Sequence, residues 1–503
     1  MIKLLIGLDV GTTNIKAGLF DADGRLLKVA SRPTITQYTG DGLPYYDPEW
    51  MWETAAAVLS EAAAEACSAV RCLGITSMAE AGLAIDLGTG KARSHVIPWF
   101  DKRSLPQLER LKAQEDPLER FSRSGLNPSF KYGMLKLMWL KDQDAELLTN
   151  VCWLSVSDYI AYRLTGERFT DASLAARTYA YDLRTLSWDK PFLEKYGLGS
   201  VAFPAVLPAG QAGGAVLPEA AQKCGLPSGL PVAVCGHDHL CASVAVGALQ
   251  PGHVFDSMGT AETLVGVLPE RTLGEAEFRT GMSHGKHVLP GRYFWMGGIS
   301  SSGGSVEWMR KVISAPPIPY EEMNRMLAAT ENRPTGILYF PYLSGSGAPK
   351  PNPNMLSSFV GISVNHTRAD MMRAVLEGTV YEFAAIRRAA EQASGQAINA
   401  ITAVGGGTRN QVLMQIKADV TGCTFYIPSV EEATMLGAAL LAGVGSGVYC
   451  DEQDAWNHIS PQLSIRTVTP DPEVGKLYAP YLESYLELRE PLHDHFNKLA
   501  RKG

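Results

Sequence analysis

The sequence predicts an α/β protein built from two similar domains that face each other across a cleft. Three observations predict it. The chain has 503 residues, room for two or three domains at roughly 150 residues each. Short apolar runs alternate with helical stretches along its whole length. A turn pattern near the start also returns near the midpoint: placing Leu8-Asp9-Val10-Gly11-Thr12 over Asp256-Ser257-Met258-Gly259-Thr260 aligns a Gly-Thr pair. Residues 1–249 and 250–503 are nearly equal halves, each opening with a hairpin and a Gly-Thr turn, and such repetition implies two related folding units.

The opening reads as a β-meander. Residues 3–8 are apolar, 9–13 form a polar turn, 15–20 are apolar, 21–24 turn again and 26–30 resume. A helix follows over residues 50–70, with Asp47 as N-cap and Pro48 in its first turn. Residues 72–76 and 83–86 read as buried strands. So do 232–234 and 401–404, the latter leading through Gly405-Gly406-Gly407-Thr408-Arg409-Asn410 into a helix over 411–421. Thr367 and Asp370 have the spacing of a capping box that opens a long helix. Residues 474–499 read as an amphipathic helix.

Composition narrows the function. Hydrophobic residues make up 46% and charged residues 19%, which excludes a disordered chain. The net charge of −7 argues against nucleic acid as a partner. It leaves a small neutral substrate unopposed, whereas an anionic one needs a local positive site. The eight cysteines form no C-x-x-C pair, which argues against a zinc ribbon or a redox motif. The first residues lack the apolar core and cleavage site of a signal peptide. The two long uncharged stretches, 196–218 and 433–450, are broken by Pro and Gly and do not read as membrane spans. The expectation is a cytoplasmic protein.

Four segments carry candidate chemistry. In Asp9-Val10-Gly11-Thr12-Thr13-Asn14-Ile15-Lys16, a strand-end aspartate can hold Mg²⁺, and Gly with two hydroxyls and successive amides makes an anion-binding concavity that Lys16 can reach. The same residues also suit a plain hairpin turn. The Gly405–Asn410 segment is strand, glycine turn and helix start, which suits a nucleotide. It matches neither G-x-G-x-x-G nor a P-loop. In Cys235-Gly236-His237-Asp238-His239, Asp238 is either a general base or a helix cap, and two histidines so close to one aspartate cannot all converge on one ion. Finally, Met78-Ala79-Glu80 and Trp99-Phe100-Asp101-Lys102-Arg103 pair carboxylates with an aromatic, as polyol sites do; ordinary surface loops read the same way.

In this order, these segments resemble the FGGY family of carbohydrate kinases. The most specific stretch is Ser357-Ser358-Phe359-Val360-Gly361-Ile362 followed by Asp370-Met371-Met372-Arg373-Ala374-Val375-Leu376-Glu377. The resemblance implies two ribonuclease-H-like domains of the actin-like ATPase kind. Residues 1–249 would hold the sugar and the first phosphate loop, and 250–503 the nucleotide. It implies ATP and Mg²⁺ as cofactors, a small carbohydrate as acceptor and a homodimer as assembly. By position, Asp238 matches the catalytic aspartate and Asp9 the metal site. Thr12, Thr13 and Lys16 match the first phosphate loop, and Gly259 and Thr260 the second. Gly303 and Glu307 fall where the family touches the nucleotide, and Gly406 and Asn410 on the adenosine loop. Ala79, Glu80, Trp99, Asp101, Arg103 and His239 fall on the sugar pocket. The stretch Ser77–Glu80 lacks the Arg-Glu pair of glycerol kinases and the Met-His pair of xylulokinases. The implied acceptor is a ketopentose or related ketose, with a deoxy-ketose or polyol as alternative. An actin-like ATPase without a sugar acceptor is the competing class. A regulator of related fold would need a helix-turn-helix that neither terminus supplies.

Overall fold

The computed structural model describes residues 3–64 and 67–500. The first half runs β1 (Leu4–Val10), β2 (Asn14–Asp21), β3 (Leu26–Pro33), α1 (Pro48–Ala63), β4 (Val70–Ser77), α2 (Val156–Thr165), β5 (Ala212–Ala215), β6 (Pro231–His237) and α3 (Asp238–Ala245), with smaller elements between. The second runs β7 (Val254–Met258), β8 (Glu262–Pro269), β9 (Ser283–Lys286), β10 (Arg292–Ile299), α4 (Ser302–Val312), α5 (Arg368–Ser394), β11 (Ala400–Val404), α6 (Gln411–Thr421), β12 (Thr424–Pro428), α7 (Ala433–Gly445), β13 (Ile465–Val468) and α8 (Pro472–Ala500).

The two main sheets have orders β5-β6-β4-β1-β2-β3 and β9-β10-β8-β7-β11-β12-β13. In each, the opening meander is antiparallel, the next two strands join it in parallel, and the edge strand beyond them is antiparallel. The six-strand pattern is therefore duplicated, and the second sheet adds β9. β1 and β7 each end one residue before their Gly-Thr pair. The repeat seen in the sequence is thus a repeat of strand order and direction, although the edge strand precedes its neighbour in the first sheet (β5 before β6) and follows it in the second (β13 after β12).

Local chemistry accounts for most element ends. Asp47 caps α1 by accepting the Trp50 N–H at 2.8 Å. The helix stops at Ala63 instead of reaching residue 70, because Val70 already opens β4 beside β1. Thr367 and Asp370 close a reciprocal capping box at the start of α5. All eight cysteines are free thiols.

One packing feature escapes the sequence. α7 belongs to the second half by chain order, yet it lies on β1 and β4 of the first sheet and against α3. Glycines make this approach feasible. A Cβ at Gly7, Gly74 or Gly437 would collide with the backbone of Met435, Ala438 or Cys241. The shared core between the two sheets holds Leu5 and Phe20 from the first and Phe255, Val265 and Phe294 from the second. Residues of α3 and α7 lie in it too. The opposite face of the first sheet is covered by α1 and α2, and that of the second by α4, α5 and α6.

Candidate active site

Asp238 is the first residue of α3, directly after buried β6. Gly236, at φ +104°, makes the turn; a Cβ there would meet Ser173 and Val288. Ser173 accepts the His237 N–H at 3.0 Å and donates to Asp171, fixing the backbone from behind. Asp238 Oδ1 accepts the His239 N–H at 2.7 Å and lies 2.7 Å from His237 Nδ1. Burial works against its ionisation, but the neighbouring His239 and His237 outweigh it and hold the carboxyl well below the usual range. A quarter of its side-chain surface (25%) stays accessible.

Asp9, at the end of β1, is the opposite case. Burial, and then the charge of nearby Asp238, push its carboxyl well above the usual range. Its Oδ1 is buried without a hydrogen-bond partner. Lys16, cross-strand from Asp9, pairs with Glu432 at 2.9 Å, a link from the first Gly-Thr hairpin to the residue preceding α7. Thr12 Oγ1 accepts Trp99 Nε1–H at 2.9 Å, tying that turn to the expected sugar wall. The Thr13 carbonyl accepts the Thr34 N–H at 2.8 Å.

The second turn is assembled from three segments. The Gly304 N–H donates to the Thr260 carbonyl at 2.9 Å. Gly303 sits so close to the Gly259 carbonyl that no Cβ fits. Gly405, at φ +100°, packs on the Met258 backbone, while Gly406 next to it faces open space. Asn410 caps α6 by accepting the Leu413 N–H at 3.0 Å. Gly259, Thr260, Gly303 and Gly406 are therefore neighbours. Glu307 lies farther along α4, paired there with Arg310 and Lys311 and accepting the Tyr320 hydroxyl at 3.1 Å. Beneath the turn, Lys417 pairs with Asp256 and Glu262, and Ser302 donates to Glu262 at 2.6 Å.

The expected sugar residues fall into two sets. Glu80 adopts φ +61°, a left-handed backbone uncommon outside glycine, and Lys136 donates to its carbonyl. Its carboxylate pairs with Arg177 Nη1 at 3.0 Å. Burial pushes Glu80 up, but Arg177, with His237, Lys131 and Lys136 nearby, outweighs it. His239 stands close to Asp238, Arg177 and Glu80, and burial lowers its imidazole. Lys131 extends over the Trp99 ring at 5.1 Å. His239 follows Asp238 and feels the charge of Glu80, while Trp99 is bound to the first Gly-Thr turn through Thr12. Asp101 is spent differently: it accepts the backbone N–H of Arg103 at 2.6 Å and pairs with its guanidinium, both side chains being buried. Ala79 is buried, and its carbonyl accepts the Ala81 N–H. Sequence reasoning missed Lys131, Lys136, Arg177 and Glu432. Only Lys136 left a signal, a lone lysine in the apolar run Met134–Leu140.

Contacts cross between the halves at the same place. Arg177 reaches Ser283 at 3.3 Å, Asn127 donates to the Met282 carbonyl at 3.3 Å, and the His284 N–H donates to the Gly125 carbonyl at 2.7 Å. Among the described residues, no three His, Cys, Asp or Glu side chains converge on a metal position, and no helix is long and apolar enough to cross a membrane.

Two sheets of matching strand order, each opening with a Gly-Thr turn, and the neighbouring carboxylates of Asp9 and Asp238 suit a phosphotransferase of the actin-like ATPase fold. Comparison with known proteins agrees. Residues 4–245 match the N-terminal domain and residues 255–446 the C-terminal domain of the FGGY family of carbohydrate kinases. A glycerol kinase of Citrifermentans bemidjiense is 29% identical over 99% of this chain and 98% of its own. A xylulose kinase structure from Rhodospirillum rubrum is 27% identical, with TM-score 0.88 over 98% of this chain and all of its own. A gluconate kinase structure from Lactobacillus acidophilus, at 21% identity, shares the fold with TM-score 0.91 over 99% of this chain and all of its own. The chain belongs to the FGGY family of carbohydrate kinases. It is a phosphotransferase with an alcohol acceptor, an ATP-dependent sugar or polyol kinase.

Proposed function

We propose that Asp238 is the general base that takes the proton of the acceptor hydroxyl as that oxygen attacks the γ-phosphorus of ATP. The observation that carries this reading is the contrast between two neighbouring carboxyls: Asp238 is held ionised and partly accessible, whereas Asp9 resists ionisation. General-base help of this kind is worth roughly 10²–10⁴-fold.

Mg²⁺ fits Asp9. Its orphaned buried Oδ1 is a hard oxygen donor, and a cation relieves both the burial and the repulsion from Asp238. When bound, the ion supplies neutralisation of phosphate charge. The amides and hydroxyls of Thr12 and Thr13 on one side, and of Gly259 and Thr260 on the other, then hold the phosphate groups. Gly303, Gly406 and Asn410 shape the nucleotide side, with Glu307 at its outer edge. Lys16 reaches the phosphates by leaving Glu432. The pocket of Glu80, His239 and Trp99 positions the acceptor, with Asp101 and Ala79 supporting its walls, and the contacts between Arg177 and Ser283 keep bulk water from the reacting atoms.

Motif likeness points to a ketopentose or related ketose, and a deoxy-ketose or polyol fits the same hydroxyl-binding wall. The decisive experiment is ADP release measured with Mg-ATP, with and without carbohydrate, on wild type and Asp238→Asn. Wild type is expected to release ADP in response to carbohydrate, and the variant to lose roughly 10²–10⁴-fold. Release from the variant near the wild-type rate rejects Asp238 as base. Release that ignores every carbohydrate points to an ATPase without a sugar acceptor.

A further inference from the structure

Lys136 is the one charge in the apolar run Met134–Leu140 of the helix Gly133–Gln143. Its side chain is fully buried. It forms no ion pair among the described residues. Its ammonium donates instead to two backbone carbonyls, that of Glu80 and, at 3.0 Å, that of Ile97. Burying a charge there is costly, and an apolar side chain of similar length serves packing better. Filling the core does not explain a lysine at this position.

Both carbonyls belong to loops that carry proposed acceptor residues, Glu80 and Trp99. Glu80 occupies a tight turn in which the Ala81 N–H donates to the Ala79 carbonyl at 2.8 Å. Its φ of +61° is a strained conformation for glutamate, one that persists only where the surroundings impose it. Ile97 stands two residues ahead of Trp99 and exchanges backbone hydrogen bonds with Gly82 at 2.9 and 3.4 Å. Lys136 joins the same two loops a second time, at Glu80 itself. The joined loops are anchored on the first Gly-Thr hairpin. The Met78 N–H donates to the Val10 carbonyl at 3.1 Å, and Trp99 donates to Thr12.

The same helix also holds the other end of Glu80. The Met134 N–H donates to the Thr178 carbonyl at 2.8 Å, next to Arg177, whose guanidinium binds the Glu80 carboxylate at 3.0 Å. One helix therefore fixes the backbone of Glu80 through Lys136 and its carboxylate through the Arg177 segment. Burial lowers the Lys136 ammonium to about 7. A neutral amine keeps two N–H donors, one for each carbonyl, so the tie holds in either form.

We propose that Lys136 is a positioning residue for the acceptor: by bracing the carbonyls of Glu80 and Ile97 it aims the Glu80 carboxylate at the acceptor and sets its place relative to the first Gly-Thr turn. The inference rests on the kinase reading above and deepens it. Lys136 touches no reacting atom, and its effect on the reaction passes through Glu80.

The test compares wild type, Lys136→Met, Glu80→Gln and the double variant in coupled ADP release with Mg-ATP. D-xylulose, D-ribulose, L-fuculose, D-gluconate and glycerol are tried on wild type, and the fastest of them serves as acceptor. Lys136→Met is expected to raise the acceptor KM so that kcat/KM falls roughly 10- to 100-fold, as misplacing a contact by about 1 Å does. The KM for ATP should stay within about twofold, and the melting temperature should hold or rise. In the Glu80→Gln background the same substitution should cost little more, because the two residues act as one unit. An acceptor KM equal to wild type overturns the proposal and leaves the kinase reading standing. So does a fall in melting temperature with kcat/KM lowered equally for ATP and acceptor, the mark of a purely structural lysine. So do losses that add in the double variant. Should Lys136→Met not fold, Lys136→Gln, which keeps a donor, takes its place; failure of both to fold makes the lysine structural and overturns the proposal as well. ADP release indifferent to all five compounds on wild type removes the kinase reading and this one together.

Discussion

The two Gly-Thr hairpins share topology and differ in charge. In the first, Asp9 sits opposite Lys16 across the strand pair. In the second, the same positions hold Ser257 and Thr263. The first loop has four residues between its last paired positions and the second has three. The second hairpin keeps its charges underneath, where Lys417 joins Asp256 and Glu262 in a buried cluster that Ser302 completes. Duplication therefore preserved the backbone of the turn, while the charges differ in place: on the strand pair itself in the first copy and in a buried cluster beneath it in the second.

This contrast can be broken experimentally. The largest expected effect is from Asp9→Asn, which should lower kcat roughly 10²–10³-fold and weaken the dependence on Mg²⁺, whereas Ser257→Ala should stay within about threefold. Steady-state kinetics with varied Mg²⁺ checks both; equal losses would mean the two turns do the same work.

Next comes a pair of glycines. Gly303→Ala drives a methyl into the Gly259 carbonyl and should separate α4 from the second turn, lowering the melting temperature by several degrees and raising the KM for ATP about tenfold. Gly406→Ala meets open space in the fold, so its melting temperature should hold while the KM for ATP rises. Parallel melting and ATP titrations separate packing from nucleotide contact.

A smaller effect concerns pH. In the first half, burial raises Asp158 to about 7. The folded state thus prefers its protonated form, and the stability it contributes is full below about pH 4 and lost as pH rises through about 7. Asp158→Asn keeps an acceptor for the Ser155 N–H. It should flatten the fall in melting temperature between pH 4 and 8. An unchanged profile would place the titration elsewhere. The smallest effect is expected from Glu432→Gln, which frees Lys16 from a partly exposed pair and should lower the KM for ATP no more than about threefold.

Much of this was legible in the sequence, for identifiable reasons. Turns and caps are local: the Gly-Thr pairs, Asp47 and Thr367 announce themselves because φ preference and capping act within a few residues. Strand β6 stood out as an apolar run ending in polar residues, and β11 as an apolar run ending at a triple-glycine turn. The pocket was half legible. Glu80, Trp99 and His239 sit in readable motifs, but Arg177 finds Glu80 and Ser283, and Lys131 finds the Trp99 ring, only when the chain folds. Asp101 looked like a ligand because nothing in the sequence shows that Arg103 folds back onto it. The placement of α7 was hidden for the same reason: its glycines read as helix weakeners until the opposing backbone is known.

That crossing helix has a consequence for how the molecule can be divided. A fragment ending at residue 249 would carry its sheet with a bare strip of glycine where α7 should lie, and the remainder would carry an oily rod with nowhere to sit. Neither piece should be soluble alone, and activity from a gene split at the midpoint should return only when both products are made together.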